Sequence, residues 1–427
     1  MHPHGMPHRL IAELNVQLKR TNSESGVAAC HRLDFLGGVR YNRGEMIWNG
    51  ENDMEQIQFA APCLMGLEGI CADELRRMEI GGVRAENGRV LFEGDFSTLA
   101  RANLCSRYAE RIQILLAEFP AYTFEELFQG IGKIPWENFI GEKDAFPVKG
   151  HSVSSKLTSI PDCQKIIKKS AASRLGRHYH TSWCEESGSV HQIQFLIIKN
   201  QCSVMLDTSG VGLHKRGYRQ NAAAAPIKET LAAAMAELSR VRPFSTVIDP
   251  FCGSGTILIE SALKALNIAP GLKRRFSAEN WSVIPFEIWR QERERAVDSI
   301  RTDAEFQAFG YDIDDETLSL TMENAKKAGV EKRIRVEKRD IRDYTENFDR
   351  AAVITNPPYG ERLLDMEQAR ELYRIMGEKF TQKQGHSYSI ITPDDGFEIV
   401  FGRSADKRRK LYNGMIKCQL YMYFKNQ

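Results

Sequence analysis

Apolar and polar positions change period several times along the chain, and each change marks an element. Residues 58–62 form a short apolar strand. Leu67, Ile70, Leu75 and Met78 then recur at helical spacing, which predicts a helix over 65–78 stopped by Gly81 and Gly82. Residues 83–93 alternate around Asn87-Gly88, the signature of a hairpin, and a helix over 96–104 and a strand over 111–117 follow. The order β-α-β-β-α-β is ferredoxin-like, and the domain is bounded at 56–120.

A second small α/β unit occupies 121–212, with helices over 123–130 and 159–178 and strands over 145–149, 190–198 and 202–208. The remainder, 213–427, begins with the linker Leu213-His-Lys-Arg-Gly-Tyr-Arg219. Pro226 then opens a helix at its first turn and carries it to Leu238. Short apolar runs at 247–249, 308–311, 334–338, 351–355 and 387–391 alternate with helical segments, which predicts a parallel, doubly wound sheet. Residues 1–55 are polar and aperiodic. They are expected to be a poorly ordered extension, and Met54, just ahead of the first strand, leaves open an upstream start.

Composition narrows the class. The 427 residues are 42% hydrophobic and 27% charged, ordinary values for globular domains. No apolar run approaches the roughly 18–20 residues of a membrane span, and the N-terminus lacks an apolar signal core, so a cytoplasmic protein without a membrane partner is expected. The nine cysteines form no CxxC pair, which suits reduced thiols, and His2, His4 and His8 read as a solvated tail; no metal site is expected. Net charge is only +2, yet residues 149–219 carry eleven Lys/Arg against four Asp/Glu. The helix over 159–178 displays Lys165, Lys168, Lys169, Arg174 and Arg177, with Ile166, Ile167, Ala171 and Leu175 facing inward. With Lys215 and Arg216 of the linker, it suits a polyanionic partner.

Candidate chemistry lies at the ends of the later strands. The first runs into Asp249-Pro-Phe-Cys-Gly-Ser-Gly-Thr256, where Gly253 and Gly255 permit a tight turn and close approach to a ligand; the stretch is neither a phosphate loop nor a dinucleotide fingerprint. The second ends at Asp312, placed to accept ribose hydroxyls, with Asp314 as an alternate, and the third is followed by Asp340, placed to accept from an adenine amino group. Each of these could instead cap a helix. The fourth ends in Asn356-Pro-Pro-Tyr359. Pro357 forces Asn356 into an extended conformation, and Pro357 and Pro358 stiffen the loop. The Asn356 side-chain oxygen and the Pro357 carbonyl then become two fixed acceptors for one exocyclic amino group, and Tyr359 offers a ring for an extruded base.

Together these residues resemble the S-adenosylmethionine-dependent amino-methyltransferases. "SKLTSIPDCQKIIKKS" (155–170) resembles the THUMP RNA-binding signature. "LHKRGYR", "APIKETLAAA", "DPFCGSGTILIE", "NPPYGERL" and "DKRRKLYNG" each resemble bacterial THUMP-containing rRNA guanine-N2-methyltransferases. The likeness covers about residues 57–427. It implies a Rossmann-like methyltransferase domain preceded by a ferredoxin-like plus THUMP RNA-binding module. It also implies S-adenosylmethionine held by Asp249, Gly253, Gly255, Asp312, Asp340 and Asn356, with Asn356, Pro357, Pro358 and Tyr359 receiving the guanine. The implied partner is RNA, 23S rRNA or a large-subunit assembly intermediate, contacted through Lys165, Lys168, Lys169, Arg174, Lys215 and Arg216. The stretch over 270–297, with Arg274, Arg275 and Trp281, is expected to extend the RNA surface, and a second methylation activity, known from two-domain relatives, is expected to be absent. Adenine N6 in RNA or DNA, guanine N2 in tRNA, and a non-catalytic assembly factor are the alternatives.

Overall fold

A computed structural model describes residues 38–42, 45–49 and 56–424, apart from 220–226, 346, 360–365 and 382. The rest of the N-terminal extension, Pro226 and the Gly-Glu-Arg that follows Tyr359 therefore lie outside the described residues. Within the extension, β1 (Gly38–Asn42) and β2 (Glu45–Asn49) pair as an antiparallel hairpin.

The first large sheet contains β3 (Ile57–Pro62), β4 (Gly81–Glu86), β5 (Arg89–Gly94), β6 (Gln113–Pro120), β7 (Val148–Val153), β8 (Ile193–Ile198) and β9 (Gln201–Asp207). Their order is β4-β5-β3-β6-β9-β8-β7. β6 and β9 pair antiparallel from Gln113 opposite Asp207 to Pro120 opposite Gln201, so the ferredoxin-like and second units share one seven-stranded sheet. Gly81 and Gly82 begin β4, and the preceding helix, α1 (Glu68–Arg77), ends earlier.

The second sheet has the order β12-β11-β10-β13-β14-β16-β15. β10 (Thr246–Asp249), β11 (Gln307–Asp312), β12 (Ile334–Lys338), β13 (Ala351–Thr355) and β14 (His386–Thr392) are parallel. β16 (Ile416–Tyr423) inserts antiparallel between β14 and β15 (Lys407–Asn413), a hairpin that periodicity does not reveal. The strand order reverses at β10, and the crevice beyond its carboxyl end, between β11 and β13, is where a doubly wound sheet binds ligands. The helix expected from Pro226 is described from Glu229 to Leu238, with Lys228 as its cap residue.

One buried cluster runs through both sheets, from Phe59 and Trp136 through Leu213 and Tyr218 to Trp281 and Trp289. The segment expected to face RNA is part of this junction. Trp281 is buried, its ring stacks 4.3 Å from His191, and its Nε1 donates to the Val190 carbonyl at 3.0 Å. Arg274 donates to the Gly212 carbonyl at 2.8 Å and the Lys215 carbonyl at 3.1 Å. Of the three named residues only Arg275 is exposed. Nearby, Arg101 makes a two-pronged pair with Glu292 at 2.8 and 3.0 Å, a planar geometry stronger than a point contact.

Candidate cofactor and target-base site

The loop after β10 turns through two left-handed glycines, Gly253 at φ +51° and Gly255 at φ +77°. A Cβ at Gly255 would lie 2.5 Å from Thr321 Cγ2, whereas a Cβ at Gly253 would meet nothing within 4 Å. Gly255 is thus required by packing as well as by φ, and Gly253 borders open space. Neighbouring side chains brace the turn: Thr321 donates to the Gly253 carbonyl at 2.5 Å and Asn324 to the Ser254 carbonyl at 3.1 Å. The following helix, α6 in chain order (Thr256–Ala265), starts at Gly255 without a side-chain cap, leaving backbone donors at its N-terminus.

Asp249 is buried at the end of β10 and accepts from Thr355 Oγ1 at 2.7 Å and from the Phe251 N–H at 3.1 Å. Burial pushes its carboxyl up to about 7, with Asp312 adding repulsion and the two donors opposing. Asp312 is half-buried, and its Oδ2 accepts from the Gly253 N–H at 3.0 Å. Asp249, Gly253, Gly255 and Asp312 therefore share one loop cluster at the carboxyl edge of the sheet. Asp314 caps the helix Asp315–Ala328, accepting from the Glu316 N–H at 3.1 Å and Thr317 Oγ1 at 2.7 Å. Asp340 caps the short turn Ile341–Asp343 and pairs with Arg342 at 3.0 Å. Sequence reasoning passed over Ile313, an exposed apolar side chain between Asp312 and Asp314; the only signal was one hydrophobe flanked by acids at a strand end.

Asn356, Pro357, Pro358 and Tyr359 leave β13 at the same sheet edge. Asn356 Oδ1 is buried and has no hydrogen-bond partner among the described residues. An unpaired buried amide oxygen costs about 1–3 kcal/mol, which makes Asn356 Oδ1 a candidate acceptor for an incoming donor. The Tyr359 hydroxyl accepts from Asn413 Nδ2 at 2.9 Å and lies 3.8 Å from Cys418 Sγ. Burial raises its phenol, which stays neutral.

The basic residues divide. Lys165, Lys169 and Lys215 are exposed, Lys165 with only a 3.6 Å pair to Asp162 on its own helix. Lys168 instead donates to the Phe146 carbonyl at 3.1 Å, pairs with Glu186 at 2.6 Å and lies 3.6 Å over the Phe146 ring. Arg174 is bound two-pronged by Glu137 at 2.6 and 2.9 Å. Arg216 is buried, donates to the Leu213 carbonyl at 2.7 Å and the Arg107 carbonyl at 2.5 Å, and stands 3.5 Å from Glu260. Those three are engaged by partners within the fold, Arg216 in its interior and Lys168 and Arg174 part-exposed. Beside Arg216, Arg219 contacts Glu229 at 3.1 Å and Thr256 Oγ1 at 3.3 Å, joining the linker to the start of α6.

The open side of Gly253, the half-buried Asp312 carboxylate and the uncapped helix end fit the amino-acid and ribose portions of S-adenosylmethionine. Profiles of three domain families match the chain in turn: the RlmL ferredoxin-like domain over residues 58–113, the THUMP domain over 121–207, and the RMKL-like methyltransferase domain over 216–422. YpsC of Bacillus subtilis, a candidate RNA methyltransferase, is 40% identical over 373 residues, which cover 87% of this chain and 97% of YpsC. The ribosomal RNA large subunit methyltransferase K/L of Syntrophotalea carbinolica is 32% identical over 385 residues, covering 85% of this chain and 53% of that protein. The chain thus spans about half the length of its K/L relatives. Among solved structures, SMU.472, a candidate methyltransferase complexed with SAH, superimposes with a TM-score of 0.83 at 40% identity, covering 87% of this chain and 99% of the other.

Proposed function

The chain belongs to the RlmL-like, THUMP-containing family of S-adenosylmethionine-dependent RNA methyltransferases, and on that premise we propose that it methylates the exocyclic N2 amino group of a guanine in 23S rRNA. The observation that supports this reading is the buried Asn356 Oδ1, without a hydrogen-bond partner among the described residues, at the carboxyl edge of the sheet beside the loop after β10. An amino group of the target base satisfies it, and the Pro357 carbonyl accepts the second N–H. Two acceptors on one nitrogen turn its lone pair out of conjugation and toward the methyl donor. Pro358 keeps the loop stiff, and Tyr359 bears on the base.

In this reading Asp249, Gly253 and Gly255 hold the methionine and sugar portions of the cofactor, Asp312 the ribose and Asp340 the adenine, with Ile313 against its face. S-adenosylmethionine supplies a methyl group already activated on a sulfonium, so neither a metal nor a covalent enzyme intermediate is required. The chain's residues align nitrogen with methyl group and exclude water. The proton leaves afterwards to solvent or through Asn356, because an aromatic amine needs no strong base before transfer. Lys165, Lys169 and Lys215 bind phosphates. The substrate is 23S rRNA, free or in a large-subunit assembly intermediate, in the cytoplasm.

A mass-spectrometric nucleoside inventory of 23S rRNA and tRNA, from cells with and without the gene, tests this. Loss of one N2-methylguanosine from 23S rRNA, restored by wild type and not by Asn356→Ala, is expected. Loss from tRNA, or loss of N6-methyladenosine, would keep the chemistry and overturn the substrate. Unchanged pools would favour a non-catalytic assembly factor.

A further inference from the structure

The outermost strand of the methyltransferase sheet, β15, reads Lys407-Arg-Arg-Lys-Leu-Tyr-Asn413. Because β16 is antiparallel to both β14 and β15, β15 runs in the same sense as the parallel strands. Its C-terminal turn, Gly414-Met415, therefore lies at the carboxyl edge of the sheet, the edge that carries Asn356. The turn is tight: Asn413 pairs with Ile416, and Gly414 takes φ +64°. Met415 at its tip is 97% exposed.

A single exposed methionine carries little meaning alone. Its attachment gives it meaning. Asn413, immediately before the turn, holds the Tyr359 hydroxyl, and Cys418, on the returning strand, touches the same oxygen. The tip is thus fixed to the residue that bears on the target base. It is also braced from behind: Arg409 donates to the Gly66 carbonyl at 2.7 Å, and a Cβ at Gly66 would lie 2.8 Å from the Lys410 carbonyl oxygen.

Charge on the hairpin is arranged for a polyanion. Arg408 is paired with Glu398 and Arg409 is tied to Gly66. Lys410 and Lys417 remain exposed, Lys410 without an ion pair among the described residues and Lys417 only 3.9 Å from the exposed Asp395. Strand alternation and the pairing of Tyr412 with Lys417 put Lys410, Tyr412 and Lys417 on one face, with Lys410 5.5 Å from the Tyr412 ring.

We propose that this hairpin opens the RNA substrate. Lys410 and Lys417 hold phosphates flanking the target, Tyr412 stacks on a neighbouring base, and Met415 fills the gap left when the target nucleotide turns toward Asn356. An apolar wedge between bases offsets part of the unstacking cost of a few kcal/mol, and the lysines fix its register. This rests on the reading that the substrate is a structured RNA.

The test compares full-length wild type, Met415→Ser and Lys410→Glu/Lys417→Glu on two probes: intact 23S rRNA from cells lacking the gene, and the same RNA hydrolysed to short unstructured fragments. Met415→Ser is expected to lose about tenfold in kcat/KM on intact RNA and to match wild type on fragments, where little unstacking remains. Lys410→Glu/Lys417→Glu is expected to raise KM on both probes and to reduce the salt dependence of binding. Equal rates for Met415→Ser and wild type on intact RNA, or equal losses on both probes, would overturn the wedge. An unchanged salt slope would overturn the phosphate contacts. The methylated nucleoside from the same reactions identifies the base, so an error in the guanine assignment would appear as a different product and leave the intact-to-fragment ratio untouched.

Discussion

Thr355 Oγ1 donates to Asp249 Oδ1 at 2.7 Å, joining the last residue of β13 to the last residue of β10. The loops that follow β10 and β13, proposed to hold the methyl donor and the target base, are thus pinned together at their roots, inside the core. Both residues are buried. Sheet geometry therefore sets how far apart the two loops begin.

Asn356→Ala deletes the unpaired acceptor and leaves the cradle intact. Turnover is expected to fall at least about a hundredfold, the scale for removing one positioned polar group from a reacting centre. Calorimetric binding of S-adenosylmethionine should stay near wild type. Near-normal turnover would sink the proposed geometry.

Burial pushes the Asp249 carboxyl up to about 7, so cofactor binding is expected to depend on pH. In the proposed site the cofactor's ammonium group would favour the ionised carboxylate, so below pH 7 binding would first have to remove a proton. Affinity is expected to rise from pH 6 to about 7.5 and then level off, and Asp249→Asn should flatten the curve. The stability sign is opposite. The folded pKa lies above the unfolded value, so the unliganded protein loses stability as pH rises from about 4 to 7 through this group.

Replacing Lys165, Lys169 and Lys215 together should weaken RNA binding and lower the salt slope by about 2–3, since each phosphate contact contributes nearly one. Arg174→Ala should act differently, lowering the melting temperature with little effect on that slope, because it strips a half-buried Glu137 of its partner. A slope change from Arg174→Ala equal to that of a lysine would contradict its structural placement.

Trp281 packs the methyltransferase half against the RNA-binding half. Trp281→Ala should cost about 3–5 kcal/mol, the usual range for emptying a buried aromatic site. Differential scanning calorimetry is expected to show one transition for wild type and two for the variant. A single, equally cooperative transition in Trp281→Ala would mean that other contacts carry the junction.

The alternation of strands and helices made the parallel sheet legible, because its central strands β10 and β13 are buried almost throughout and read as short apolar runs, whereas the edge strand β12 buries only Ile334. The loop cluster was legible too, since Asp249 and Asp312 each close a strand and Gly253 and Gly255 turn the loop that follows the first of them. The β15–β16 hairpin was not: its outer strand is a basic edge that buries only Leu411, so no periodicity announces it. Charge misled for a related reason. Arg174 and Arg216 look like Lys169 in the sequence, but their partners stand far away along the chain, Glu137 for one and Glu260 for the other. Trp281 was misassigned because an insertion between motifs gives no hint of which surface it will cover.

The sheet continuous from β4 to β7 and the core it shares with the second sheet make the molecule a caliper. One jaw is the helix bearing Lys165 and Lys169, the other is the Asn356 loop, and the frame between them is packed side chain. A caliper accepts a workpiece by its span. On the proposed function, an RNA feature gripped by the first jaw would offer to the second only those nucleotides lying at one set reach, so many chemically identical amino groups would be passed over without being read.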